Sequence, residues 1–116
     1  MQNKNTSQAA LKLWKQALCE LVGRQGPDLS SRQMAIMLTV YLEQPPHTVR
    51  GLAAQLQISK PAVTRALDTL SKMELLKRKP DEADRRSINV IRTVKGSVYL
   101  SEIADIIEQA AWKNLT

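Results

Sequence analysis

The chain has 116 residues, 43% hydrophobic and 24% charged, with a formal charge of +6. That length fits one domain with no room for a second core, and the ordinary apolar and charged content excludes global disorder. No apolar run approaches the roughly 20 residues of a membrane helix. The polar opening Met1-Gln2-Asn3-Lys4-Asn5-Thr6 leads into no secretory stretch, so a cytoplasmic location is expected. One cysteine, Cys19, and one histidine, His47, exclude an intrachain disulfide framework and zinc-ribbon spacing. The aromatics are Trp14, Tyr41, Tyr99 and Trp112, with no Phe. The core must therefore be aliphatic, and few platforms exist for stacking unpaired bases.

Charge is concentrated in the middle of the chain. Residues 1–49 carry five Lys/Arg against three Asp/Glu, residues 50–95 eleven against five, and residues 96–116 one against three. A localised basic segment points to a polyanionic partner.

The first predicted helix runs from about Thr6 to Val22, with Leu11, Trp14, Leu18 and Leu21/Val22 at helical spacing. Ala10, Leu13 and Ala17 form a second stripe. A helix apolar on two faces has two partners, here its own domain and a second subunit. Gly23, Gly26 and Pro27 end it. A second helix runs from about Ser31 to Glu43, capped by Ser30 or Ser31, with Met34, Met37/Leu38 and Tyr41 inward. Pro45-Pro46 stops it. The methionines read as core filler, and His47 as a turn residue.

Thr48 caps a short third helix with Val49, Leu52, Ala53 and Leu56 as its apolar stripe. Gln57-Ile58 makes a tight break. Ser59 caps a fourth helix with Pro61 in its first turn, where a missing amide costs little. Val63, Ala66, Leu67 and Leu70 form its inner face; Lys60, Thr64, Arg65, Asp68 and Lys72 lie on the other. The period then changes. Residues 76–80 and 87–92 read as two strands joined by the charged tip Asp81-Glu82-Ala83-Asp84-Arg85-Arg86. A last helix spans about Val94 to Lys113, with Tyr99, Ile103, Ile106/Ile107 and Ala110 at helical spacing. Gly96 near its start suggests close backbone contact.

Two short helices around a tight turn, the second exposing cations and hydroxyls, make a helix-turn-helix, and the hairpin makes it winged. The predicted fold is mainly α with a small β-hairpin, a winged helix-turn-helix of α+β class, in one domain over residues 1–116. The second helix of such a pair presents donors to the major groove, where base edges carry a readable code. Arg85 and Arg86 on a protruding tip suit the narrow minor groove. Asp84 is placed to orient one of them. Arg50, at the start of the third helix, reads as a phosphate contact.

The run Thr48-Val49-Arg50-Gly51-Leu52-Ala53-Ala54-Gln55-Leu56-Gln57-Ile58-Ser59-Lys60-Pro61-Ala62-Val63-Thr64-Arg65 resembles the helix-turn-helix of MarR-type transcription regulators. Asp84-Arg85-Arg86-Ser87 is similar to their wing signature, and Thr93-Val94-Lys95-Gly96 to the family's Thr-x-x-Gly leaving the wing. The resemblance implies a bacterial regulator that binds duplex DNA as a homodimer. Its recognition contacts fall on Ser59, Lys60, Ala62, Thr64 and Arg65, and its wing arginine on Arg86. It assigns residues 48–93 to the helix-turn-helix and wing, and about 6–22 and 94–113 to dimerisation. Leu13, Ala17, Ile103, Ile107 and Trp112 are the candidate pairing residues. Relatives continue into another helix beyond the point where this sequence stops at Thr116. Some build a small-molecule effector pocket, for a ligand this sequence does not specify, and some sense peroxide through a cysteine. Cys19 is the candidate here, although its charged neighbours Lys15 and Glu20 oppose one another and a buried apolar thiol is expected.

Paired His–acid or Cys–His arrangements, phosphate loops and metal clusters are absent from the sequence, so neither an enzyme nor a metal or other cofactor is expected. The competing reading is a winged helix used for protein–protein contact. Lys60, Arg65, Arg85 and Arg86 on groove-reaching elements argue against it.

Overall fold

The computed structural model describes residues 4–115. In chain order its elements are α1 (Lys4–Gly23), α2 (Ser31–Leu42), α3 (Val49–Leu56), α4 (Lys60–Lys72), β1 (Leu76–Pro80), β2 (Ile88–Arg92) and α5 (Val94–Leu115). This is the mainly α winged helix-turn-helix expected from the sequence. The contacts divide the chain into two compact units, Leu29–Val98 and the terminal segments Met1–Asp28 with Tyr99–Thr116.

In the Leu29–Val98 unit, hydroxyl caps start every helix before the wing. Ser30 accepts from the Gln33 amide while the Gln33 side chain accepts from the Ser30 amide, a reciprocal capping box. Thr48 Oγ1 accepts from the Gly51 amide at 3.0 Å, and Ser59 Oγ from the Ala62 amide at 3.2 Å. Between α3 and α4, Gln57 adopts a left-handed conformation, φ 56°, and the Ile58 amide donates back to the Ala53 carbonyl at 3.1 Å. That closes α3 and reverses the chain within two residues.

The core of this unit is aliphatic. Ile36, Met37 and Val40 of α2 are buried with Leu52 of α3, Val63, Leu67 and Leu70 of α4, Leu75, Leu76 and Val90. Each contributes about 1.5–3 kcal/mol on leaving water. The hairpin is antiparallel, with Leu76 opposite Arg92 and Pro80 opposite Ile88. Only Val90 of β2 is buried, and Ile88 is exposed beside the tip. The other edge of β2 is covered by the segment before α3. There the Val90 amide donates to the His47 carbonyl at 2.7 Å, and Thr48 bridges Asn89.

Tyr41 ties the wing to the helices. Its hydroxyl donates to the Leu75 carbonyl at 2.7 Å and accepts from the Thr93 amide at 2.9 Å. Thr93 Oγ1 donates to the Glu74 carbonyl and accepts from the Gly96 amide, starting α5. Gly96 is pressed against this knot. A Cβ there would lie 1.8 Å from the Tyr41 hydroxyl and 2.3 Å from the Leu75 carbonyl oxygen. The close approach suggested by the sequence thus has a named partner.

In the terminal unit, α1 and the residues just after it are joined to α5 by side chains. Arg24 forms an ion pair with Glu102 and lies 5.8 Å from the centre of the Tyr99 ring. The Tyr99 hydroxyl donates to the Pro27 carbonyl at 3.3 Å, and Asn114 Nδ2 donates to Gln16 Oε1 at 3.0 Å. Burial raises the Tyr99 phenol above its ordinary range, a shift that Arg24 opposes and Asp28 reinforces.

Here the sequence reading of the faces is corrected. Ala17 and Ile103, assigned to pairing with a second subunit, are buried inside the chain, and Leu13 is half-buried. The stripe Leu11, Trp14, Leu18 and Val22 is exposed instead. The face carrying Gln16, Ala17 and Arg24 is the one bonded to α5, and Leu11–Val22 lies across the helix from it. Cys19, expected to be buried, is exposed. It sits about 200° around α1 from Ala17.

Gly96→Ala should therefore lower stability by about 1–3 kcal/mol in urea unfolding, because Tyr41 or the backbone must move. Gly23→Ala, where nothing lies within 4 Å, is the control and should leave the midpoint nearly unchanged.

Candidate nucleic-acid interface

The starts of α2, α3 and α4 share a charge pattern that isolated helices avoid. None carries an acidic residue in its first turn. Instead Arg32 is the second residue of α2, Arg50 the second of α3, and Lys60 the first of α4. The N-terminal pole of a helix is positive, so cations there are disfavoured by up to about 1 kcal/mol. Their position suits an external anion instead.

The arginines fall into two groups. Arg24 pairs with Glu102, and Arg78 with Asp68 at 2.7 Å. Arg92 donates to the carbonyls of Val40 at 2.9 Å and Glu43 at 3.0 Å. These are committed to holding the chain together. Among the described residues, the side chains of Arg32, Arg50, Arg65 and Arg85 have no such partner.

The second helix of the pair, α4, buries Ala62, Val63, Ala66, Leu67 and Leu70 and exposes Lys60, Thr64 and Arg65. Ala62, expected to face the groove, is 6% exposed. Its side chain belongs to the inner face, and its amide is the one that Ser59 caps. Lys60 and Arg65 lie on opposite flanks of the exposed face, about 140° apart at roughly 100° per residue. On the Lys60 flank, a cleft of about 500 Å³ is lined by Thr48, Arg50, Lys60, Asp84, Arg86 and Ser87, among others.

The tip is shaped by its acids. Asp81 Oδ1 accepts from the Ala83 amide at 2.9 Å, and Asp84 Oδ1 from the Arg86 amide at 3.0 Å. The Ser87 amide donates to the Asp84 carbonyl at 2.9 Å. Arg86 Nε lies 3.5 Å from Asp84 Oδ1, with the arginine side chain 94% exposed. Such an exposed pair steers the guanidinium without neutralising it and contributes little to stability. Arg85 points elsewhere and lines a separate depression with Pro80, Asp81 and Glu82.

Arg50, Lys60, Asp84 and Arg86, singled out from the sequence, thus meet in one cleft beside the cap residue Ser59. Thr64 and Arg65 lie on the exposed face of α4, Arg85 stands apart, and Ala62 is inside. Sequence reasoning passed over Arg32. Its signal was present: Ser30-Ser31-Arg32 repeats the hydroxyl-x-Arg start of Thr48-Val49-Arg50.

A capped helix pair with a cation-lined second helix and an acid-shaped basic wing defines a winged helix-turn-helix protein. The sequence model of the MarR family matches residues 29–88, and the chain belongs to that family. MepR from S. aureus superposes with a TM-score of 0.77 at 21% identity, over 93% of this chain and 77% of that one. YusO from Bacillus subtilis gives 0.76 at 23%, over 93% and 75%. The transcriptional regulator BldR from Sulfolobus solfataricus gives 0.64 at 26%, over 94% and 81%. Structures of MepR include one bound to ethidium bromide and one, of a variant, bound to an oligodeoxyribonucleotide. No curated protein sequence matches the chain significantly.

Because Ser59 caps α4, Ser59→Ala should destabilise the protein by about 1 kcal/mol, and Ser59→Asp, which keeps an acceptor at the cap, by much less. Thermal melts of the three proteins check this.

Proposed function

We propose that this chain is a sequence-specific duplex-DNA-binding transcription regulator. In this reading α4 enters the major groove and the wing tip lies at the minor groove. The observation that carries it is the convergence of Arg50, Lys60 and Arg86 on one cleft beside the exposed face of α4. Arg50 and Lys60 hold backbone phosphates. Ser59, Thr64 and Arg65 approach base edges, where hydroxyls serve several bases and an arginine suits guanine. Arg86, held by Asp84, and Arg85 reach toward the minor groove. In the same reading the protein acts as a homodimer, since one recognition helix and one wing read a single half-site.

Support for the dimer comes from the apolar surface that the terminal unit leaves in water. On α1 this is Leu11, Trp14, Leu18 and Val22; on α5 it is Ile107, Trp112 and Leu115. Trp112 is 72% exposed. Leu11, Trp14, Leu18 and Val22 repeat at spacings of three and four along one face of α1, and an exposed apolar face of this kind marks an association site. A symmetric pair would set two recognition helices on successive major grooves, about 10 bp apart or a small multiple of that.

Binding should be steep in salt. A dimer making roughly 6–10 phosphate contacts loses about 10³–10⁵ in affinity between 50 and 200 mM salt. Fluorescence anisotropy on a duplex checks this, and a flat response would exclude the reading.

Arg65→Ala should lower discrimination between a selected operator and random duplex by about 1–3 kcal/mol, whereas Arg50→Ala should weaken both alike. Equal losses on both DNAs for Arg65→Ala would remove its assigned role.

Charged replacements of Ile107 and Trp112 should give folded monomers in sedimentation velocity that no longer bind the operator. A wild-type protein that is monomeric both free at micromolar concentration and on DNA would refute the dimer.

A further inference from the structure

A helix lying in the major groove has a phosphate wall on each side, the groove being about 12 Å wide. Arg50, Lys60 and Arg86 line one flank of α4, whereas Arg65 lies on the other. On the other flank of α4, a second depression is lined by Ser30, Arg32 and Gln33 from the start of α2 and by Arg65 and Thr69 from α4. Two guanidinium-bearing side chains share it, and none of its lining residues is acidic. Neither arginine side chain has a partner among the described residues. Like charges gathered without a counter-ion are unfavourable unless an anion joins them.

We infer that Arg32 is a further DNA-contacting residue, which grips a backbone phosphate on the wall of the groove opposite the Arg50–Lys60 side. The inference rests on the DNA-binding reading above and extends its footprint. Arg32 projects from a helix start whose cap is already satisfied by Ser30 and Gln33, so its side chain has no task in closing α2. A planar, always charged guanidinium suits a phosphate, and the positive pole of α2 adds to the attraction. Arg65 shares the depression from α4, with its head toward the bases. The two arginines therefore divide the work: Arg32 fixes the register of the strand and Arg65 reads it. Such a contact carries no sequence information of its own.

The test uses the full chain and two DNAs, a mixed-sequence duplex about three helical turns long and a selected operator. Arg32→Ala should weaken both by the same factor, about three- to tenfold per bound subunit, and reduce the magnitude of the salt slope by about 1 per bound subunit. Discrimination between the DNAs should not change, and the melting temperature should not fall, since the cation at the α2 pole disfavours the folded chain. Arg32→Lys, which keeps the charge, should retain the slope. Phosphate-ethylation interference should lose a site with Arg32→Ala that Arg50→Ala retains. Unchanged affinity and slope for Arg32→Ala, while Arg50→Ala changes both, overturns the inference and leaves the DNA-binding reading standing. Loss of discrimination with Arg32→Ala would also overturn it, by making Arg32 a reader of sequence. If the unmodified protein binds neither duplex at any salt, the DNA-binding reading itself fails and the inference with it.

Discussion

One phenolic oxygen anchors the Leu29–Val98 unit. The Tyr41 hydroxyl donates to the Leu75 carbonyl and accepts from the Thr93 amide. It thus joins α2 to the residue before β1 and the residue after β2. Both ends of the wing therefore hang from one helix. A hairpin of two five-residue strands is marginal by itself, and its position relative to α4 must come from such ties. Arg92 adds a second, bonding the carbonyls at the end of α2. The strand pair is thereby fixed near its root, and its tip is shaped separately by Asp81 and Asp84. Gly96 is the condition for this arrangement, since only a residue without a side chain fits against the hydroxyl.

Net charge alone says little about what a basic protein binds; the distribution of partners says more. Arg78 and Arg92 count toward the positive charge of the middle segment but are spent on Asp68 and on backbone carbonyls. Arg32, Arg50 and Arg65 are not, and all three line depressions on the two flanks of α4. Charge placed against a helix pole and left unneutralised is a standing cost to the folded chain. A fold keeps such an arrangement where an outside anion offsets it.

The parts of the fold legible in the sequence are those set by local chemistry. Ser30, Thr48 and Ser59 mark helix starts because a hydroxyl at the cap satisfies amides no other group can reach. Gln57-Ile58 was readable as a break, and the change to alternating pattern after Leu76 as a hairpin. What was not legible depended on long-range choice. Two apolar stripes on α1 were visible, but periodicity does not say which is inside. The smaller side, centred on Ala17, took the interior, and the Leu11–Val22 side stayed out. Cys19 followed from that choice. Ala62 was carried over from a family pattern, although its place one turn before Ala66 already put it on the buried face. Arg32 is not legible in this way because the apolar pattern of α2 marks a core helix, and a single cation in its first turn carries no periodic spacing signal.

Among the described residues no strand pairs with the outer edge of β1, since the hairpin is two-stranded and the segment before α3 covers the far side of β2. An open edge invites pairing with a strand from another molecule. Here that edge reads Lys77-Arg78-Lys79-Pro80, exposed throughout. Two identical edges brought together would oppose like charges, and Pro80 has no amide to donate to a further ladder. The basic strand thus guards the protein against edge-to-edge aggregation. Copies can meet elsewhere without the wings growing into a shared sheet.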